Sequence, residues 1–303
     1  MIEHIPVMLD EVLKAVTNAP SLRRIVDATL GLGGYTKAFL KQWPHVSVLG
    51  IDRDSEAIEI AKDKLAEFLD RVKFYNGDFK DLAEILKKIG FTEPDAIVFD
   101  LGVSNLQISK EERGFSFDLD GPLDMRMDTT SDLTAEEVIN TYSKEALSEI
   151  FRKYGEERHA SRIAWGICKY RQEHGLIRTT GELVSVIRMT LPAPVQRKMG
   201  KNPARRVFQA LRIEVNNELK ALEEALSGCR EVAKEGTVVV VVSYHSLEDK
   251  IVKKQFKEWE SLGLGRMLSK KVVKPTEEEI TRNKKARSAK LRSFIFGERE
   301  LKG

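Results

Sequence analysis

Apolar positions in this chain fall into two rhythms. Short apolar runs of strand length occur at Ile25-Val26, 46–51, 72–75 and 96–99. Helical patterns separate them: residues 55–69 place Ala57, Ile58, Ala61, Leu65 and Leu69 on one side, and 81–89 form another helix. Strands alternating with helices predict an α/β, doubly wound, mostly parallel sheet. From 134 to 191 the pattern is helical only. Thr134 with Glu137 makes a capping box, Ser143 opens a second helix, 156–173 a third, and Thr180 caps 181–191 before Pro192 and Pro194 stop it. One long helix then runs to about Leu226, with Val207, Leu211, Val215, Leu219, Leu222 and Leu226 in a stripe. Residues 237–243 are an apolar, β-branched run, the mark of a central buried strand. Ser246 with Asp249 is expected to cap a helix over 250–259, and 293–296 to form an edge strand. The expected organisation is a sheet domain, 1–108 and 203–303, interrupted by a helical subdomain, 109–202.

The chemistry gathers at the ends of the strands. After Ile25-Val26 comes Asp27-Ala28-Thr29-Leu30-Gly31-Leu32-Gly33-Gly34, and Asp52 ends the second run 21 residues after Gly31. Gly31, Gly33 and Gly34 let the chain turn sharply and a ligand approach its backbone. Asp52 is placed to accept hydrogen bonds from ribose hydroxyls. A dinucleotide fingerprint wants a third glycine where Thr36 stands, which disfavours an NAD-dependent dehydrogenase. A carboxylate at Asp27 suits a cationic ligand better than a pyrophosphate, so S-adenosylmethionine fits better than NAD. Asp78 or the Phe79 backbone is placed to meet an adenine, or forms a local turn with Phe79 in the core. Asp100 closes the fourth strand, so three strand tips carry an acid, on the edge where open α/β sheets bind ligands.

Beyond Asp100 the rhythm breaks. Residues 111–128 are long, charged and aromatic; Phe115, Phe117, Met125 and Met127 give this stretch reason to be ordered. His245-Ser246 does not make a hydrolase, because no GxSxG elbow accompanies it. Cys168 and Cys229 lie far apart without a CxxC, so a disulfide scaffold or cysteine metal site is not expected, and no metal is expected at all.

With 303 residues, 42% hydrophobic and 32% charged, the chain can bury a good core. No leader pattern and no 18-residue apolar run occur, so a cytoplasmic protein without a membrane partner is expected. A net charge of +3 is modest, but the basic residues cluster. Residues 197–206 contain Arg197, Lys198, Lys201, Arg205 and Arg206 and no acid; 282–292 contain Arg282, Lys284, Lys285, Arg287 and Lys290, again with no acid. Local basic arms on a nearly neutral chain suit a polyanion reached through its phosphates. A non-enzymatic RNA- or ribosome-binding protein with a nucleoside pocket would carry the same arms.

Taken together, several motifs closely resemble the bacterial 16S ribosomal RNA cytosine-N4 methyltransferases. They are His4-Ile5-Pro6-Val7, 27–34, Gly50-Ile51-Asp52-Arg53-Asp54, Asp100-Leu101-Gly102-Val103-Ser104, 113–117, 121–127, 208–212 and 245–249. The resemblance covers nearly the whole chain. It departs at Tyr35, Asn202 and Asn105, where the family usually has histidine, histidine and serine. It implies a class I S-adenosylmethionine-dependent methyltransferase fold with a helical insertion after the fourth strand. It also implies cofactor contacts from Gly33, Gly34, Tyr35, Asp52, Phe79, Asp100 and Gln107, and 16S rRNA in the small ribosomal subunit, not DNA, as partner. Methylating an exocyclic amine needs no covalent nucleophile, whereas attack through cytosine C5 calls for an activated cysteine. Neither cysteine sits at a strand tip, so nitrogen is the expected target. Asp100 is the expected catalytic residue, orienting the amine or the cofactor ammonium.

Overall fold

A computed structural model describes residues 6–199 and 202–297. The chain divides into two compact units, Met1–Gly102 with Leu219–Gly303, and Val103–Glu218.

The first unit opens with α1 (Leu9–Val16), then alternates β1 (Arg24–Asp27), α2 (Gly34–Gln42), β2 (Ser47–Asp52), α3 (Ser55–Lys64), β3 (Val72–Asn76), α4 (Leu82–Ile89) and β4 (Ala96–Asp100). Asp54 caps α3 by accepting from the Glu56 and Ala57 amides, so the chain leaves β2 and turns at once into helix. α3 ends at Lys64 and continues as a 3-10 turn, Ala66–Phe68, rather than running to Leu69.

The second unit contains α5 (Asn105–Ser109), α6 (Ala135–Thr141), α7 (Lys144–Lys153), α8 (Ala160–His174), α9 (Thr180–Thr190), α10 (Ala193–Lys198) and α11 (Arg205–Asn216). It starts earlier than the expected 109, with Val103 packed against the helical core, and ends later than 202 because α11 buries Val207, Phe208, Ala210 and Leu211 in that core. Thr134 and Ser143 cap α6 and α7 as expected from sequence. Thr179, not Thr180, caps α9 by accepting from the Glu182 amide, while Thr180 is buried in the first turn. The irregular stretch is ordered by this core: Phe115, Leu123, Met125 and Met127 are buried in it. Asn216 accepts from the Met127 amide at 2.8 Å and donates to the Met125 carbonyl at 2.8 Å.

The chain returns through α12 (Glu218–Val232), β5 (Val238–Ser243), α13 (Ser246–Ser261), β6 (Gly265–Met267), α14 (Glu277–Arg282) and β7 (Lys290–Phe296). The expected long helix to Leu226 is two helices, because Asn217 adopts the left-handed conformation (φ 50°), which Asn tolerates better than most residues. The sheet order is β3-β2-β1-β4-β5-β7-β6, with β7 antiparallel to both neighbours. β7 is therefore interior, not the edge strand expected; the edge is β6, three residues long and too short to leave a period. β5 is wholly buried, and its valines alternate between cores on the two sheet faces. The strand order reverses at β1 and β4, the position where open α/β sheets bind ligands beyond their strand ends.

Candidate active site

Asp27 ends β1, where the chain turns into the glycine loop. Gly31 (φ 51°) and Gly33 (φ 79°) take left-handed conformations, and a Cβ on Gly34 would lie 2.7 Å from Pro6. The loop therefore needs glycine for shape at two positions and for close packing at a third. Asp27 is fully buried; its Oδ2 accepts from Thr36 Oγ1 at 2.7 Å, and its Oδ1 has no hydrogen-bond partner. Burial pushes its pKa up to about 6, against the hydrogen bonds from Thr36 and Thr29, with the Asp52 charge adding to the rise.

Asp52, at the tip of β2, braces this loop. Its Oδ2 accepts from the Gly31 amide at 2.7 Å and its Oδ1 from the Asp54 amide at 2.9 Å. Burial raises its pKa while these two amides oppose the rise. A carboxylate has about four acceptor positions, so it can hold the loop and still receive a ligand hydroxyl. Phe79 opens the 3-10 turn after β3 and packs edge-on against Phe99 at 5.8 Å between centroids. Arg53 lies over its ring at 5.4 Å and reaches Asp78 at 3.6 Å.

Asp100 ends β4. Its amide donates to Thr29 Oγ1 at 2.6 Å, which ties the β1 and β4 tips together. Its Oδ1 accepts from the Tyr244 hydroxyl at 2.6 Å. Burial pushes the Asp100 pKa up to about 7; Tyr244 and Lys285 work against this, and Asp27 and Glu248 reinforce it. Tyr244 escaped the sequence reading, although a signal existed. Asp100 pairs with Val242 across the sheet, so Tyr244 follows two residues later beyond the same edge. Glu248 fixes that turn by accepting from the Tyr244 amide at 2.8 Å. His245, not Ser246, is the N-cap of α13, with Glu248 completing the capping box; its Nε2 lies 3.1 Å from Glu248 Oε1.

The other expected residues have the following surroundings. The Tyr35 side chain is buried and its hydroxyl donates to the Val7 carbonyl. Gln107 lies in the helical unit, where its side chain accepts from the Ser104 amide at 3.1 Å and closes a capping box on α5. Among the expected RNA contacts, Arg197, Lys198, Arg205, Arg206, Arg282, Lys284 and Arg287 are exposed. Lys201 and His4 lie outside the described residues. Lys290 is half-buried in β7, 3.3 Å from Asp249, which Arg292 also binds at 2.7 Å. Lys285 is exposed as a residue, yet partial desolvation lowers its pKa and the Asp100 charge opposes that lowering. Cys229 is buried, which pushes its thiol well up, and Cys168 accepts from Arg171 at 3.2 Å. Among the described residues, no helix is long and apolar enough to cross a membrane.

An unpartnered buried carboxylate oxygen at Asp27, with Asp52 and Asp100 at neighbouring strand tips, fits a cationic nucleoside and repels a pyrophosphate. This donor set, on a sheet of order 3-2-1-4-5-7-6, defines a class I methyltransferase whose cofactor is S-adenosylmethionine. The model of the MraW methylase family matches residues 1–296, and the chain belongs to that family. Its relatives include ribosomal RNA small subunit methyltransferase H of Caldicellulosiruptor saccharolyticus, 45% identical over 96% of this chain and 98% of that protein. The protein of the same name from a Hydrogenobaculum species is 46% identical over 95% and 94%. That from Thermobifida fusca is 42% identical over 96% and 92%. The crystal structure of a putative rRNA-methylase from Clostridium thermocellum aligns over 97% of this chain and 100% of that one. Its TM-score is 0.46 at 13% identity, too distant to add to the assignment.

Proposed function

We propose that the protein methylates the N4 amine of a decoding-centre cytosine in 16S rRNA, acting in the cytoplasm on the small ribosomal subunit. The observation that carries the reading is the Asp27–Asp52–Asp100 set at three strand tips, with no thiol beside it. S-adenosylmethionine supplies an electrophilic methyl group for in-line displacement by an amine. In this proposal the Gly33 and Gly34 backbone lets the cofactor approach, and Asp52 accepts ribose hydroxyls while bracing the loop through Gly31. Phe79 lies against the adenine, and Asp27 faces the cofactor's cationic end. Asp100 accepts a hydrogen from the cytosine amine through its free oxygen, turning the nitrogen lone pair toward the methyl group. Positioning of this kind can supply several kcal/mol of the barrier reduction, on the order of 7–11 for well-oriented pairs. The base must leave its stack to reach such a site. Gln107 caps α5 through its side-chain oxygen, and its amide NH2 is the group that would donate to the cofactor.

The names of the relatives support the substrate, and the exposed basic residues support a polyanionic partner. The test incubates the protein with labelled cofactor and small subunits lacking the modification, then maps the product by nuclease digestion and mass spectrometry. One N4-methylcytidine, lost in Asp100→Ala, is expected. Label at C5 would overturn the target atom, and undiminished activity in Asp100→Ala would overturn the role of Asp100.

A further inference from the structure

The charges of the helical unit are segregated along the chain. Residues 103–157 carry six lysines and arginines against thirteen acids; residues 158–206 carry eleven against two. The basic half includes α8 and α9, which form an antiparallel pair. Arg162 Nε donates to the Thr190 carbonyl at 3.0 Å near one end, and Tyr170 Oη to Glu182 at 3.0 Å near the other. The pair is close: a Cβ on Gly166 would lie 2.0 Å from Thr190 Oγ1.

That crossing fixes what lies beside it. Each helical step turns by about 100°. In an antiparallel pair, the residues just before two facing positions therefore turn to the same side. Those residues are Trp165 and Met189, which are 52% and 69% exposed although both are large and apolar. The side chains of Arg162 and Lys169 border the same side of α8, three residues before and four after Trp165. Arg152 of α7 reaches the adjoining Ser161 at 3.1 Å. Lys169 Nζ lies over the Trp165 ring, 5.3 Å from its centroid, and 3.7 Å from Glu173, the one acid in α8.

An exposed indole with a cation over one face has the chemistry of a base-stacking platform, with the other π-face for a base and nearby charges for the flanking phosphates. We infer that the α8–α9 face binds single-stranded RNA, with one base stacked on Trp165 and the flanking phosphates held by Arg152 and Arg162. The inference rests on the proposed RNA substrate and names where part of it lies. Arg162 and Lys169, before and after the indole along α8, favour RNA over a second protein copy, which would have to bury those charges.

The test uses the whole protein and a small-subunit rRNA transcript. Of the three tryptophans, Trp259 is fully buried and Trp43 is stacked on Phe39, so stacking on Trp165 is readable as fluorescence quenching. Trp165→Ala is expected to keep the melting temperature, abolish the quench, and weaken binding by about tenfold, the scale of one lost base stack. Its salt dependence should stay that of the parent. Trp165→Phe should recover most of the affinity. Arg152→Ala with Arg162→Ala should lower the log–log salt slope by about 1.4 if both meet phosphates of a single strand. Parental affinity in Trp165→Ala overturns this inference alone. So does a dimer that falls apart in Trp165→Ala while RNA binding persists. A parent protein with no affinity for the transcript overturns the substrate reading as well.

Discussion

The Tyr244 hydroxyl donates a 2.6 Å hydrogen bond to Asp100 Oδ1, joining the turn after β5 to the tip of β4. One carboxylate oxygen is thereby held, and in the proposed reaction the other meets the substrate amine. Asp27, Glu248 and Lys285 also act on this carboxyl, whose pKa stands at about 7. If the ionised form orients the amine, methyl transfer should fall as pH drops through about 7. Removing the phenol takes away a group that lowers this pKa. Tyr244→Phe should therefore move the acid limb of kcat/KM upward by about one pH unit, the scale of one hydrogen bond to a charge. Initial rates between pH 5.5 and 9 decide the matter. A limb that stays in place in a folded Tyr244→Phe protein would detach Tyr244 from the chemistry.

Much of this unit was readable because its signals are local. The glycine turn, the strand-tip acids and the valine run of β5 each depend on neighbours in sequence, and they appear where the pattern puts them. What escaped depends on distant partners. Tyr244 gains its meaning from Asp100, 144 residues earlier, and Lys290 pairs with Asp249, 41 residues earlier. The interior place of β7 follows from β6, whose three residues carry no period. The break at Asn217 was hidden because an apolar stripe continues in helical register across a left-handed residue.

Asp27 and Asp100 should make the cofactor-free protein more stable in mild acid. Each is a carboxyl whose folded-state pKa is raised above its unfolded value of 3.8, to about 6 and about 7. Between those values the folded chain holds protons that the unfolded chain has released, so stability falls as pH rises through the window. Urea unfolding should therefore give a higher midpoint near pH 5 than at pH 7.5. Asp27→Asn should gain roughly 2 kcal/mol at pH 7 by removing an uncompensated buried charge, while cofactor binding weakens. Equal midpoints at both pH values would show that these groups are not strained by burial.

Asp52 has two tasks that different substitutions separate. Asp52→Ala should lower cofactor affinity by about 1.5–3 kcal/mol, the scale of hydrogen bonds to a charged group. It should also release the Gly31 and Asp54 amides, costing about 1–3 kcal/mol of stability. Asp52→Asn keeps one acceptor, so it should recover part of the stability. Calorimetry beside denaturant titration reads both quantities. Full affinity in a folded Asp52→Ala protein would remove Asp52 from the binding role.

The basic residues near the C-terminus should sort into three behaviours, although the sequence presents them as one run. Lys284 and Arg287 are exposed on the 3-10 turn Lys284–Ser288. Replacing both by alanine should weaken rRNA binding and reduce its log–log salt slope by about 1.4, with cofactor affinity unchanged. Lys290 and Arg292 hold Asp249 below its ordinary carboxylate range although burial works the other way. Lys290→Ala should lower the melting temperature and leave the salt slope alone. Lys285 is coupled to Asp100, and its positive charge helps keep that carboxyl ionised. Lys285→Ala should shift the acid limb of methyl transfer in the same direction as Tyr244→Phe. Salt titrations, melting curves and pH profiles on the three proteins separate these roles. Equal loss of salt slope in every variant would return the whole run to a single phosphate-binding arm.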